Sequence, residues 1–257
     1  MSQDMLPGER RQKIVEVLSR DGKVSVQAVS VELDVSVDTV RRDLKELEGA
    51  GLLTRVHGGA LPSSLSVPTY TERKSINQFA KNAIARETAR LILPDQVVII
   101  DSGTSAQSVA RHLPLDLRAT IVTPSPPVAM VLGNHLNIDV VLLGGTLDKS
   151  SMTVIGTTAS LTLSALRADV CIAGVCSLHH EIGVTTVSHE EAELKRIMIE
   201  NSGRVIAPVT ADKIGTASPF VVAPMTGVDC IVTDSEVPED RLNEYRKLGI
   251  EVMRVAQ

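Results

Sequence analysis

Aromatic residues are scarce in this sequence, and their scarcity limits both its core and its partners. There is no tryptophan, and there are only two tyrosines and two phenylalanines among 257 residues. The core must therefore be built from valine, isoleucine, leucine and alanine, which suit buried parallel strands and the helices that cover them. The same scarcity argues against binding of single-stranded nucleic acid, because that mode depends on bases stacked on aromatic rings.

Cysteines and long apolar runs are also few. Cys171, Cys176 and Cys230 are odd in number and stand in hydrophobic surroundings, so we expect reduced thiols rather than a disulfide framework. No apolar run approaches the ~20 residues that span a bilayer, and the first residues lack the charged-then-apolar pattern of a signal peptide. We therefore expect a cytoplasmic protein without a membrane partner.

The chain has no surplus of positive charge. Its formal net charge is −5, and residues 1–60 carry nine basic and ten acidic side chains. Bulk electrostatics therefore give no sign of a nucleic-acid partner, and any positive charge that meets DNA must be concentrated locally. The length of 257 residues suggests two domains.

The first sixty residues predict three short helices followed by a strand. Apolar residues recur at helical spacing, and serines stand where the second and third helices need a capping side chain. The predicted elements are a helix over Arg10–Ser19, a helix capped by Ser25, a helix from Ser36 to about Gly49, a strand over Leu52–Val56 and a turn at residues 57–59.

The third predicted helix has one apolar face and one basic face. Its apolar residues recur every three or four positions, while Arg41, Arg42 and Lys45 gather on the opposite side. Such a capped helix fits a major groove, where arginine pairs with guanine edges or phosphates. Alternatively, these cations only solvate a surface helix and pair with Glu46 and Glu48. The surrounding arrangement of helices, turn and strand favours DNA binding.

One segment of this region also carries a family resemblance. The stretch DTVRRDLKELEGAGLLTRVHGGA resembles the N-terminal domain of the DeoR family of bacterial sugar-catabolism repressors. The resemblance implies a winged helix-turn-helix domain with Ser36–Glu48 as its recognition helix and Arg55–Ala60 as its wing. We therefore expect contacts with double-stranded operator DNA from Ser25, Gln27, Ser36, Asp38, Thr39, Arg41, Arg42, Lys45, Arg55 and His57.

The pattern changes after the segment LPSSLSVP, which is rich in serine and proline and is interpreted as a linker. A polar helix is predicted over Ile76–Leu91, and seven short apolar runs follow with helices between most of them. Because these runs are continuously apolar, they are typical of a parallel sheet covered by helices on both faces. The runs are Val97–Asp101, Thr120–Thr123, Asp139–Leu143, Val170–Val175, Val205–Val209, Cys230–Thr233 and Glu251–Val255.

A loop of small residues follows the first of these runs. Backbone N–H groups, hydroxyls and the dipole of the next helix all favour a phosphate there, although such a loop taken alone is equally consistent with a generic turn. Similar turns after the next two runs favour the phosphate site, because neighbouring strand ends share one crevice. The predicted ligand site comprises Asp101, Ser102, Gly103, Thr104, Ser105, Thr123, Ser125, Gly144, Gly145 and, as a cation at the same edge, Lys213.

These segments resemble the sensor domain of the same family in order and spacing, so the resemblance covers almost the whole chain. It implies an α/β, Rossmann-like and mostly parallel domain, similar in fold to ribose-5-phosphate isomerase, that binds a phosphorylated sugar or related metabolite. We expect the DNA-binding domain over residues 1–61, a linker over 62–75 and the sensor domain over 76–257. The resemblance implies a repressor of a carbohydrate-catabolism operon that forms a dimer or a tetramer. Its effector is expected to release it from DNA. We expect neither enzymatic activity nor a cofactor.

Three residues depart from the family pattern and leave the identity of the effector open. Pro124, Asp148 and Thr210 stand where the family more often has asparagine, a basic residue and an acidic residue, respectively.

The sequence leaves two other functions open. A sugar-phosphate isomerase fused to a DNA-binding domain needs a carboxylate base, and nothing distinguishes one candidate. Its candidates are Asp101, Glu190 and Glu191. The second is a zinc site, but the sequence lacks a second spaced pair of ligands, so we expect no metal. Its candidate ligands are Cys176, His179, His180 and His189.

Overall fold

The computed structural model describes residues 5–21, 23–56, 58–62 and 68–256. Its N-terminal part contains α1 Pro7–Asp21, β1 Val24–Ser25, α2 Val26–Glu32, α3 Val37–Gly49, β2 Leu53–Val56 and β3 Gly59–Pro62. The three strands pair antiparallel with β3 in the middle, and β2 and β3 form a wing after α3. This order confirms the predicted winged helix-turn-helix domain. His57, a predicted DNA contact, lies outside the described residues.

The helices of this domain form where the sequence supplies capping residues and apolar stripes. Ser36 Oγ accepts a hydrogen bond from Thr39 N at 3.1 Å and so caps α3. Ile14, Val29 and Leu44, one from each helix, are at most 1% exposed and share one core. An aliphatic core therefore fixes α3 against the other two helices.

Strands β1 and β3 give little signal in the sequence, because they are only two and four residues long. Their pairing depends on Gly59, since a Cβ at this position would lie 1.9 Å from Val24 O. Strand β3 continues through Leu61 and Pro62, although the serine- and proline-rich pattern suggests that the linker has already begun there.

The C-terminal part is an α/β domain. Its strands are β4 Val97–Ile100, β5 Ala119–Thr123, β6 Ile138–Leu142, β7 Thr146–Asp148, β8 Thr153–Ile155, β9 Ala168–Ile172, β10 Ser177–His179, β11 Gly183–Thr186, β12 Ser202–Pro208, β13 Phe220–Ala223, β14 Cys230–Asp234 and β15 Glu251–Val255. Its helices are α4 Tyr70–Arg73, α5 Gln78–Arg90, α6 Thr104–Arg111, α7 Pro126–Leu132, α8 Thr157–Ser164, α9 His189–Glu200 and α10 Glu239–Arg246. None of the helices in the described part of the chain is long and apolar enough to cross a membrane.

Seven strands form a parallel sheet in the order β15-β14-β12-β9-β4-β5-β6. Each corresponds to one of the seven apolar runs, and the mostly parallel α/β fold is confirmed. Ile99 packs on the side of α8, α9 and α10, whereas its neighbours Val98 and Ile100 pack on the side of α5, α6 and α7. The strand order reverses direction between β4 and β9, and such a switch point opens a crevice at the carboxyl ends of the strands.

Two smaller antiparallel sheets and a short helix were not foreseen from the sequence. The sheets are the β7–β8 hairpin and β10–β11–β13. Helix α4 lies within the predicted linker, where Thr69 and Glu72 form a capping box. Tyr70 N donates to Ser150 O at 2.8 Å, which holds α4 against the turn between β7 and β8.

The wing contacts the C-terminal domain directly. Thr54 Oγ1 donates a hydrogen bond to Ala217 O at 3.1 Å, and Ala217 N donates to Pro62 O at 3.4 Å. We call these two hydrogen bonds the wing seam. Ala217 lies only a few residues after Lys213, and both follow β12. The short segment between them therefore connects the carboxyl end of the parallel sheet with the wing.

Candidate DNA interface and ligand cleft

The exposed face of α3 carries the cations predicted to read DNA. Arg41, Arg42 and Lys45 are all exposed, and Arg41 forms an ion pair with Asp38 at 3.1 Å. The two residues are exposed and about one helical turn apart, so their ion pair stabilises the helix little and can open when a phosphate or base competes. The arrangement leaves three cations available along one side of the helix.

Three of the remaining predicted contacts border a groove between α2, α3 and the wing. Ser25, Gln27 and Arg41 line it together with Arg55 and the wing glycines. Ser25 Oγ accepts a hydrogen bond from Ala28 N at 3.4 Å, so this hydroxyl also caps α2. Ser36 and Thr39 share a hydroxyl–hydroxyl bond at the start of α3.

Arg55 is engaged with α3 rather than free. Its Nε donates to Glu48 Oε2 at 2.7 Å, and its backbone N donates to Glu48 Oε1 at 3.0 Å. Partial burial opposes ionisation of Glu48, but these hydrogen bonds outweigh it and lower the pKa of Glu48. Arg55 therefore fixes the wing against the recognition helix.

Asp43, in the family-like run of α3, faces inward. Its carboxylate accepts hydrogen bonds from Nε and Nη2 of Arg10, and both side chains are largely buried. This bidentate pair ties α1 to α3. No local pattern in the sequence indicates a role for Arg10, because its partner lies 33 residues away.

A cleft opens at the switch point between β4 and β9. Ser102 to Ser105, which follow β4, form one wall, and Gly174 to Cys176, which follow β9, form the opposite wall. Helix α6 begins at Thr104, so its first turn lies at the cleft. Amides, hydroxyls and a positive helix end thus meet in one place, as an anion requires.

Asp101 lies beneath this loop and is committed to the protein. Its Oδ1 accepts from Ser102 N at 2.6 Å, and its Oδ2 accepts from Gly174 N at 2.8 Å and from Lys195 Nζ. Asp101 is 1% exposed. The two oxygens therefore connect both cleft walls with Lys195. Asp101 is not among the described residues that line the cleft.

Lys195 lies at the cleft although no sequence prediction named it. Its Nζ also donates to Gly174 O at 3.1 Å, and its side chain reaches the cleft from α9. Burial lowers the pKa of Lys195, but the carboxylates of Asp101 and Glu191 outweigh this effect, and the pKa is raised. A lysine on the buried side of α9 was the available signal.

Lys213 reaches the cleft as predicted. Its Nζ donates to Val175 O at 2.7 Å, and burial lowers its pKa. The cleft also contains Arg73 and Ser188, which had no predicted role, and Asp148, previously noted only as a departure from the family pattern.

The other four predicted ligand residues do not line the cleft. Thr123 and Ser125 are fully buried, and Ser125 N donates to Thr123 Oγ1 at 3.1 Å. Gly144 and Gly145 are exposed at the start of the β7–β8 hairpin. Thr123 ends β5 and the other three follow β5 or β6, whereas the cleft is lined by the segments after β4 and β9 and by the turn between β7 and β8.

Only two of the four candidate zinc ligands lie together in the described part of the chain. The group there combines His179 and His180 with Glu181, whose ligand atoms lie within 4.8 Å of one another, and omits Cys176 and His189. Glu181 N donates to His179 Nδ1 at 3.2 Å. Burial lowers the pKa of His179 to about 4, so its ring is neutral near pH 7.

Comparisons with known proteins match both parts of the chain. A model of the DeoR-like helix-turn-helix domain matches residues 10–64, and a model of the DeoR C terminal sensor domain matches residues 76–235. The HTH-type transcriptional regulator GlpR of Haloferax volcanii is 36% identical over 251 residues, which cover 97% of this chain and 98% of that protein. The HTH-type transcriptional repressor GlcR of Bacillus subtilis is 32% identical over 255 residues, covering 98% of each chain. Among solved structures, ribose 5 phosphate isomerase A from Neisseria gonorrhoeae matches 52% of each chain with 14% identity and a TM-score of 0.39.

Proposed function

The chain belongs to the DeoR family of transcriptional regulators, and on that premise we propose that it represses a carbohydrate-catabolism operon until a phosphorylated sugar or related metabolite releases it. One observation carries the proposal: a basic, exposed helix is joined in one chain to a cleft lined by hydroxyls, helix-end amides and lysines at the switch point of an α/β sheet. The relatives named above are called a regulator and a repressor, which supports the same function. Because a repressor must reach chromosomal DNA, we propose that it acts in the cytoplasm.

We propose that the phosphate group of the effector binds Ser102 to Ser105. The first turn of α6 supplies N–H groups, Thr104 and Ser105 supply hydroxyls, and Lys213 supplies positive charge. Asp101 contributes indirectly, since its carboxylate positions Lys195 at the base of the cleft. The wing seam offers a physical route from this cleft to the DNA-binding domain, because the segment after Lys213 reaches the wing.

Thr104→Ala is expected to weaken binding of the phosphorylated effector about tenfold or more, because a hydrogen bond to a charged group is lost. The same ligand is expected to lower the operator affinity of the wild type, since it must bind the two states of the repressor unequally. Calorimetry with a panel of sugar phosphates and gel shift with operator DNA measure the two effects.

Thr157→Ala is the matched control for this experiment. Thr157 begins α8 after Gly156 at φ 103°, just as Thr104 begins α6 after Gly103 at φ 104°, but it lies outside the cleft. Equal ligand affinity in wild type and Thr104→Ala would place the phosphate elsewhere. Tight ligand binding without any change in operator affinity would support the binding site but contradict the proposed release from DNA.

We further propose that the protein acts as a homodimer or a larger oligomer. A single α3 reads only a short half-site, and two-fold pairing doubles the contacts on a palindromic operator. Sedimentation velocity at micromolar concentration is expected to show a dimer or tetramer. A monomer that still binds the full operator tightly would contradict this.

The sensor domain is proposed to bind its ligand without chemical turnover. An isomerase needs a free carboxylate base at the substrate, whereas both oxygens of Asp101 are engaged by protein donors. Glu190 is exposed, and Glu191 lies at the cleft as the remaining candidate base. Steady-state assays with pentose and hexose phosphates test this directly, and measurable turnover that Glu191→Gln abolishes would overturn it.

A further inference from the structure

A second cavity adjoins the ligand cleft and shares part of its wall. Arg73, Thr104 and Lys213 border both spaces. Lys81 and Thr210 line the second cavity only. The two spaces together form one elongated site, with the Ser102–Ser105 loop at one end.

The second cavity holds more positive than negative charge. Within the described residues, Arg73, Lys81 and Lys213 form no ion pair with a carboxylate. The carboxylate at this cavity, Asp212, accepts a hydrogen bond from Asn77 Nδ2 at 2.9 Å. Burial lowers the pKa of Lys81 to about 8, and the charge of Lys213 contributes in the same direction. Lys81 Nζ donates to Arg73 O and Ile76 O, both at 2.7 Å, so its hydrogen bonds go to neutral carbonyls. Three neighbouring cations without a carboxylate partner repel one another, and an anion between them would relieve that repulsion.

Hydrogen-bonding capacity is also left unused there. Arg73 Nε and Thr210 Oγ1 are both buried and have no hydrogen-bond partner among the described residues, and Thr210 is only 2% exposed. Buried polar atoms are nearly always paired, so two unpaired ones on the same cavity point to a missing acceptor. Lys213 uses one of its three N–H donors on Val175 O, which leaves two for a ligand.

We propose that this cavity is a second anion subsite, and that the effector carries two anionic groups. One group occupies the Ser102–Ser105 loop, and the other binds Arg73, Thr210 and Lys213. The ligand class is a sugar bisphosphate or a phosphorylated sugar acid. The inference rests on the proposed function, which supplies the first anionic group. Because Arg73 belongs to α4, which lies within the predicted linker, the second group would also tie the linker to the ligand.

Calorimetry on the full-length protein, at one ionic strength, tests the proposal with two pairs of probes. Fructose 6-phosphate is compared with fructose 1,6-bisphosphate, and glucose 6-phosphate with 6-phosphogluconate. In at least one pair, the member with two anionic groups is expected to bind about tenfold tighter or more, since charge-assisted hydrogen bonds are the strong ones. The pair that shows this preference identifies the second group as phosphate or carboxylate.

Arg73→Gln is expected to reduce the preference within that pair to about twofold or less. Lys74→Gln removes the same charge from the next residue, whose ammonium lies over the Tyr70 ring at 5.1 Å, and should keep the preference. Thr210→Val is a milder second variant, of similar shape, that removes the unpaired hydroxyl and should reduce the preference as well. Thermal unfolding confirms that each variant is folded.

Three results would overturn the second subsite. Equal affinity for both members of both pairs shows that no second anion is bound. Equal loss of preference in Arg73→Gln and Lys74→Gln shows an effect of net charge alone. Failure of all four probes to bind contradicts both the proposed phosphate site at the Ser102–Ser105 loop and this subsite. Binding without preference contradicts the second subsite alone.

Discussion

Replacement of both Arg41 and Arg42 by alanine is expected to abolish specific operator binding at physiological salt. Each arginine that reads a base edge is worth about 1–3 kcal/mol, so the double variant should lose roughly the sum if the two act independently. Both side chains are exposed on α3, whose packing residues lie on the opposite face. The domain should therefore stay folded while its affinity falls.

The measurement is fluorescence anisotropy on an operator selected from random duplexes, repeated at several salt concentrations. An arginine that contacts only phosphate should reduce the salt dependence and weaken all sequences alike, whereas a base-reading arginine should relax sequence preference. Lys13→Ala is the control, because Lys13 is an exposed cation on α1 rather than on the recognition helix. Wild-type affinity in both single variants would rule out α3 as the reading helix.

Lys195→Ala is expected to destabilise the sensor domain by about 3–5 kcal/mol, because it leaves the buried carboxylate of Asp101 without its cation. The side chains of Lys195 and Asp101 are 6% and 1% exposed. The remaining hydrogen bonds to Asp101, from Ser102 N and Gly174 N, do not replace a full positive charge. Urea unfolding followed by circular dichroism gives the change in the free energy of unfolding.

Two comparisons make this prediction specific. The double variant Asp101→Ala/Lys195→Ala removes both charges and should recover part of the lost stability, because no unpaired charge stays buried. Arg118→Ala breaks a pair with Asp95 in which both side chains are mostly exposed, and should change stability little. A Lys195→Ala variant as stable as Arg118→Ala would contradict the structural role assigned to the buried pair.

The sequence predicts the large elements well because their signals are local. Val97–Ile100 and the other parallel strands are continuous apolar runs, and α3 has a cap and a regular apolar stripe. Strand β1 has only two residues, and its existence depends on pairing with Gly59, 34 positions further along the chain. No local pattern encodes such a pairing.

The residues that line the cleft were predicted only in part for a related reason. The Ser102–Ser105 loop was located correctly at a strand end, but the strand next to β4 on the cleft side is β9, about 70 residues later. Adjacent strands in sequence directed attention to Thr123 and Gly144, on the side of β5 and β6. Strand order is decided by packing of the whole sheet, so the true neighbours of the loop could not be read from the sequence.

The wing seam has a consequence for how such regulators diversify. Three of its four hydrogen-bonding groups are backbone atoms of Ala217 and Pro62, and only Thr54 contributes a side chain. Substitutions on the exposed face of α3 leave these backbone groups in place, since α3 is a separate element from β2 and β3. New operators can thus be acquired by changing a few surface side chains, while the connection between the two domains is inherited unchanged. Chimeras that exchange residues 1–62 between relatives should accordingly keep the ligand response of the parent that supplied the sensor domain.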